Sequence, residues 1–115
     1  SNFDPSGWDV SSVTNMNSIF KNCKNMDFSL ANWDLSSATN VKFIFRNTTG
    51  AGTTGISTAN YDATLIGWAA NTNTPDTLTT DFGGSTYTGT SGTLASSSRS
   101  TLIQKGWTIA DGGTA

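Results

Sequence analysis

Asp9 and Asp34 are the residues whose type and spacing first suggest chemistry. Each is the acid of a Trp-Asp pair, each precedes an aliphatic residue and Ser-Ser, and the two stand 25 residues apart. If copies of this phrase stack, the two carboxylates fall on one face, and Asp81 joins them if the later segment keeps the same alternation. Neighbouring acids repel by about 1 kcal/mol or less in water. Such a ladder would hold Ca²⁺, the basic side chains of a partner, or a hydroxyl-bearing ligand. The plainer use, which the Ser-Ser position favours, is that each Asp accepts hydrogen bonds from the backbone of its own turn. A glycosidase needs two acids across a cleft, and nothing in this pattern builds one.

Other chemistry is scarce. The chain has no His, which removes the usual general base at neutral pH and every Ser-His or Cys-His nucleophile. Ser-rich stretches such as Ser96 to Ser98 therefore have no imidazole to activate them. Neither a P-loop nor an EF-hand loop is present. The single Cys, Cys23, cannot form an internal disulfide and reads as a small half-buried residue. Net charge is −2 and the pI about 4.6, so no basic surface exists to neutralise phosphates and nucleic-acid binding is not expected. Lys21, Lys24, Lys42 and Arg46 read as a solvated face. The pairs Thr77/Thr79 and Thr86/Thr88 would order water as an ice-binding surface does only if repeated copy after copy, and they are not. No metal or cofactor is required, and calcium is the one ion the acids would admit.

What must position these residues is a repeat. Trp8-Asp-Val-Ser-Ser returns as Trp33-Asp-Leu-Ser-Ser, Thr14-Asn15 as Thr39-Asn40, and Ile19-Phe20 as Ile44-Phe45, all at an offset of 25. A period of that size marks a stacked array whose units each need a neighbour to cover their apolar face. Within a unit, Trp and Val or Leu two apart have strand parity, placing Gly7 and Asp9, or Asn32 and Asp34, on the opposite face. Ser-Ser then suits a helix cap, and Val13, Met16, Ile19 and Phe20, echoed by Ala38, Val41, Ile44 and Phe45, have the spacing of one helical stripe. The expected unit is strand, turn, helix and return loop, with parallel strands about 4.8 Å apart. The indoles of Trp8 and Trp33 are expected to share the interior, each contributing about 4–6 kcal/mol before entropy costs.

These phrases resemble the BspA-like bacterial surface leucine-rich repeats, whose units are of this length and carry the same Trp-Asp pair and Ile-Phe close. The likeness covers residues 3–49, with Val41 standing for Met16 and Ala38 for Val13. It implies an α/β fold: a short right-handed solenoid of strand-turn-helix repeats with a parallel sheet and a C-terminal capping unit. It also implies a cell-surface or secreted protein concerned with adhesion. The low charge, 12% against about 25% in an ordinary domain, and the abundance of Ser, Thr and Asn fit an extracellular surface.

Beyond a Gly/Thr loop at 47–57 the register is lost but the alternation persists. Ser57 or Thr58 caps a helix with Tyr61, Leu65 and Trp68 on one face, and Asn71 to Pro75 end it. Leu78, Thr80 and Phe82 alternate with Thr79 and Asp81 as a strand. Residues 94–105 read as a helix with Leu102 and Ile103 inward and Gly106 as its C′ residue. Trp107 and Ile109 point inward from a last strand. The whole is one domain, with two repeats over 3–49 and a capping region over 50–115 that loosely resembles the closing segment of the same family.

The expected function is non-catalytic: an interaction or adhesion module contacting an extracellular protein or matrix component through Asp9, Asn32, Asp34, Thr79 and Asp81. Tyr87, in a Gly/Thr loop, is the aromatic most open to stacking on a sugar. The rivals are a structural spacer without a ligand of its own and a glycan-binding accessory domain of a secreted enzyme. No apolar run reaches membrane-spanning length. The abrupt start at Ser1-Asn2 and Phe3 reads as a fragment of something longer, whose first repeat leaves an edge at residues 3–10 free to pair with another chain.

Overall fold

A computed structural model describes residues 5–20, 27–42, 44 and 55–115. Cys23, Lys21, Lys24, Phe45 and Arg46 lie outside these residues.

The described residues of the two repeats form turns and isolated bridges, where a strand and a helix were expected. Two turns of the i to i−3 kind flank each Trp-Asp phrase. The Trp8 and Val13 amides donate to Pro5 and Val10, and the Trp33 and Ala38 amides donate to Leu30 and Leu35, all within 2.8–3.0 Å. A residue pair two apart can share a side in such a double turn just as in a strand, which is why Trp8-Asp-Val and Trp33-Asp-Leu mimic strand parity without pairing as strands. The supposed helical stripe fails for a related reason. Ser18 has φ +62°, a left-handed value that no α-helix tolerates. The amides of Met16, Ser18 and Phe20, every second residue, donate across to the carbonyls of Asn40, Lys42 and Ile44 at 2.7–3.1 Å. Met16 and Phe20 are buried, whereas Val13 and Ile19 are exposed.

Pairing between the copies therefore runs through the stretch after the turns. Asn15 bridges to Asn40 in parallel, at the 25-residue period, and Val41 bridges in parallel to Thr80. Thr80 lies in β1 (Thr79–Asp81), which pairs in parallel with β2 (Thr108–Ala110), Thr80 opposite Ile109. Four parallel segments thus lie side by side. Met16, Val41 and Thr80 form their buried row, with Ile109 half-buried. Leu78 and Phe82 point inward with Thr80, as their alternation predicts.

Two helices complete the core. α1 (Thr58–Ala70) begins at Ser57, whose side chain accepts from the Asn60 amide, and buries Tyr61, Thr64, Leu65 and Trp68. α2 (Leu94–Gln104) begins at Thr93 and buries Ala95, Ser98 and Leu102. Ile103 is exposed, contrary to expectation, because adjacent helical residues are about 100° apart and Leu102 takes the inward direction. Gly106, at φ +92°, ends the helix as its C′ residue.

A row of indoles ties the halves together. Trp33 Nε1 donates to the Pro5 carbonyl at 2.9 Å, and Trp68 Nε1 donates to the Leu30 carbonyl at 2.9 Å. Pro5 and Leu30 are 25 apart, so the helical Trp68 takes, one layer on, the place that Trp33 takes against the first copy. The Leu30 amide in turn donates to Thr64 Oγ1 at 3.0 Å. Trp107 Nε1 repeats the arrangement with the Pro75 carbonyl at 2.8 Å. Trp8, expected in the interior, stacks on Trp33 with ring centroids 6.5 Å apart and planes 17° apart, but about half of its surface stays open to solvent.

Candidate binding face

The parallel pairing creates one continuous polar face. Its register puts Asn15, Asn40, Thr79 and Thr108 in one outward row and Asn17, Lys42, Asp81 and Ala110 in the next. All are exposed except Asn40 and Asp81, which are half-buried. Asn15 and Asn40 form a ladder of their own: each Oδ1 accepts from the amide two residues on, Asn17 at 2.9 Å and Lys42 at 3.0 Å. Those bonds fix the two side chains and close amides that the parallel pairing leaves over. Thr39 Oγ1 donates to the Thr14 carbonyl at 3.1 Å, adding a second tie between copies. The result is a shallow, nearly neutral surface of amides and hydroxyls carrying one cation and one anion. Such a surface can exchange hydrogen bonds with the main chain and polar side chains of a partner over a long contact.

The structure brings together only part of the set expected from sequence. Thr79 and Asp81 share the outward side of β1. Asp9 and Asp34 instead occupy the turns, six residues before the bridging Asn15 and Asn40. Asp9 Oδ1 accepts from the Ser11 amide at 3.1 Å and hydroxyl at 2.6 Å. The hydroxyl bond, then the amide bond, hold the Asp9 carboxyl below the usual carboxylate range. Asp34 Oδ1 accepts from the Ser36 amide at 3.0 Å and from Asn71 Nδ2 at 3.4 Å. Asn32 is exposed in the turn before Trp33. Tyr87 is half-buried: its ring meets Tyr61 edge-on, centroids 6.3 Å apart, and the Arg99 guanidinium lies 4.7 Å over its face.

Every described acid is engaged in this way. Asp27 takes the Ser57 amide and Asn60 Nδ2 at the start of α1. Burial raises its pKa, but the Ser57 and Asn60 bonds outweigh that and hold it below the ordinary value. Asp62 takes the amide and hydroxyl of Thr88, and Asp81 takes the Gly83 amide. Asp111 is held by Arg99, Tyr61 and the Gly113 amide. Burial, and then the bond to Asp111, push the Tyr61 phenol far above its ordinary pKa. Asp76 pairs with Lys105 on the surface. Among the described residues no group of three or more His, Cys, Asp or Glu gathers where an ion would sit, so the calcium reading finds no donor set there.

Sequence reasoning passed over Asn15, Asn17, Asn40 and Thr108. The signal was present in the doubled Thr-Asn pair, since an Asn held at one position of a stacked repeat is what a side-chain ladder requires.

Compared with known proteins, the chain matches over residues 2–64, more than half its length, the family described as "Mycoplasma protein of unknown function, DUF285". No curated protein and no solved structure matches it. Among the described residues no helix is long and apolar enough to cross a membrane.

Proposed function

We propose that this chain, which belongs to the DUF285 family of bacterial surface-protein repeats, is a non-catalytic interaction module that contacts an extracellular protein or matrix component through the outward rows of its parallel segments. The single observation behind this reading is the continuity of those rows. Asn15, Asn40, Thr79 and Thr108 cross four segments without an apolar interruption and are fixed by backbone pairing. In this reading the turns and ladder form the flank of a short right-handed solenoid, BspA-like in kind, and the α1–α2 half is its cap. A rigid, shallow face suits a folded protein or polymer better than a small substrate. The absence of His and the engagement of every described carboxylate both argue against catalysis.

The test is binding to immobilised matrix proteins and to a glycan array, with Asn15→Lys, Thr79→Lys and Thr108→Lys combined. These positions are exposed, and of the three only Asn15 gives up a described framework bond, that from the Asn17 amide, so the melting temperature should fall by a few degrees at most while binding to a matrix protein falls at least tenfold. Unchanged binding by the triple variant would refute the face. Binding of the parent to nothing on either array would favour the spacer reading, which the tying of each described Asp to its own framework also supports.

A further inference from the structure

The parallel segments end in two edges, and the two are finished differently. At the first, the Met16 and Ser18 amides face the second copy, so the Asn17 amide between them faces outward. Asn15 Oδ1 takes that amide at 2.9 Å, and the edge is closed by its own side chain. At the other edge stands β2, which pairs with β1 alone. The Thr108 amide donates to the Leu78 carbonyl at 2.9 Å, and the Ala110 carbonyl accepts from the Phe82 amide at 2.8 Å. The residue between them in a parallel ladder faces away. The N–H and C=O of Ile109 therefore point outward, and among the described residues neither has a hydrogen-bond partner. The inner row is open at the same place. Met16 is 1% exposed, Val41 0% and Thr80 1%, whereas Ile109 is only half-buried, although Trp107 and the Asp111 side chain on either side of it are covered. Sheet edges are commonly blunted by Lys, Pro or a bulge. Residues 107–110, Trp-Thr-Ile-Ala, carry neither residue, and the register of β2 runs without a bulge.

We propose that β2 is a dimerisation edge, at which a second copy of this chain adds its own β2 antiparallel across a twofold axis at Ile109. In an antiparallel ladder, the two residues of a hydrogen-bonded pair exchange both of their N–H···O bonds. Ile109 offers one free donor and one free acceptor on the same side, so it is its own complement, and a twofold axis there satisfies both groups on each copy. The axis stands perpendicular to the sheet, so the two Ile109 side chains meet on the same inner face and cover each other. Thr108 falls opposite Ala110 of the second copy, and both positions are small, uncharged and exposed. Trp107 falls opposite Asp111 of the second copy, whose carboxylate is turned inward to Arg99 and Tyr61, so no like charges meet across the axis. A parallel, head-to-tail contact is the poorer fit, because the edge it needs on the second copy is the one that Asn15 closes. Main-chain addition at a sheet edge is a recurrent mode of association. Strands this short bury less than a standard stable interface, so the dimer is weak and forms as concentration rises. The pairing joins the outward polar rows of two copies into one surface but does not require them to bind anything.

Sedimentation of the chain across a dilution series should show a monomer that converts to a dimer and stops there. In a mixture of isotope-labelled and unlabelled chains, filtered NOEs should join Thr108 Hα of one copy to Ala110 Hα of the other. These are non-hydrogen-bonded antiparallel neighbours, a contact that a parallel pair lacks. Exchange of the Ile109 amide should slow as the chain is concentrated. Thr108→Lys combined with Ala110→Lys sets like charges opposite each other across the axis and should weaken the dimer at least tenfold. Mixing that variant with Thr108→Glu combined with Ala110→Glu should restore a one-to-one heterodimer. Both positions are exposed, so the dilute variants should melt close to the parent. Ile109→Pro removes the outward N–H and no bond to β1, and should likewise leave a monomer. A parent still monomeric at about 1 mM, assembly that grows past the dimer, a Lys variant that dimerises like the parent, or a dimer without the Thr108–Ala110 contact between chains would each overturn the proposal.

Discussion

The described residues of the repeat half, 5–20, 27–42 and 44, and those of the C-terminal half, 55–115, hold their shape by different means. In the first, polar side chains act mostly within their own turn, as Asp9 does on Ser11 and Asp34 on Ser36, and order passes between copies through backbone bonds at a fixed interval. In the second, unique side-chain ties join distant segments: Asp62 to Thr88, Tyr61 and Arg99 to Asp111, Trp107 to Pro75. Translation extends a structure without limit, whereas unique ties close it. One join is made at Leu30, whose amide and carbonyl are both taken by α1, through Thr64 and Trp68.

Breaking that join should cost the most. Trp68 is fully buried and hydrogen-bonded, so Trp68→Ala is expected to cost about 3–5 kcal/mol. Trp8→Ala, at the half-exposed counterpart in the row, should cost less than half as much. Urea denaturation of the two variants measures the difference. Equal losses would mean that the row is not graded from open to closed. Gly67→Ala tests the same join by overpacking, since an added Cβ would run into the Ala31 backbone. A loss of about 1–3 kcal/mol is expected.

Next come the unique ties. Asp111 is 5% exposed at its side chain and serves Arg99, Tyr61 and its own turn at once. Asp111→Ala leaves a partly buried guanidinium and a buried phenol without their acceptor, at a cost of about 2–4 kcal/mol in the same denaturation experiment. Asp9→Ala removes a carboxylate that serves only an exposed turn, and should lower the melting temperature slightly. If the two changes proved equal, the contrast between local and long-range ties would fail.

The same contrast explains what was legible in the sequence. The C-terminal half could be read because helices announce themselves: Ser57 as cap, Tyr61, Leu65 and Trp68 on one face, Gly106 as terminator. The alternation of Leu78, Thr80 and Phe82 gave β1 just as directly. In the repeat half the period was legible but the unit was not. Two consecutive β-turns place Trp and Val two apart as a strand does, and a left-handed residue such as Ser18 leaves no mark in a hydrophobic pattern. Asp9 and Asp34 drew attention because acids are conspicuous, while the outward row is made by Asn and Thr, whose role depends on register. Tyr87 looked open because Gly and Thr surround it. Arg99, which covers its ring, is 12 residues away in sequence.

Within the sheet, one position is predicted to gain stability. Thr80 Oγ1 is buried without a hydrogen-bond partner, in a row whose neighbours are Val41 and Ile109. Val has the same shape and no hydroxyl to desolvate. Thr80→Val should therefore stabilise the protein by about 1 kcal/mol, against the usual expectation for a buried substitution. A loss on denaturation would mean that the hydroxyl has a partner.

The smallest expected effect concerns acid. The Asp27 carboxyl, bonded by the Ser57 amide and Asn60 side chain, titrates below its ordinary value of 3.8 in the folded chain. The unfolded chain therefore takes up its proton first as the pH falls. The stability Asp27 contributes is fully present above about pH 4 and drains away below it. Asp27→Asn keeps an oxygen to accept from Ser57 but cannot titrate. The variant should start slightly less stable at pH 6 and lose less than the parent as the solution is acidified. Because the carboxylate is largely exposed, salt should shrink the difference. Parallel acid profiles for the two proteins would place the first-turn tie of α1 among the local, dispensable contacts of the repeat half and not among the ties that close the fold.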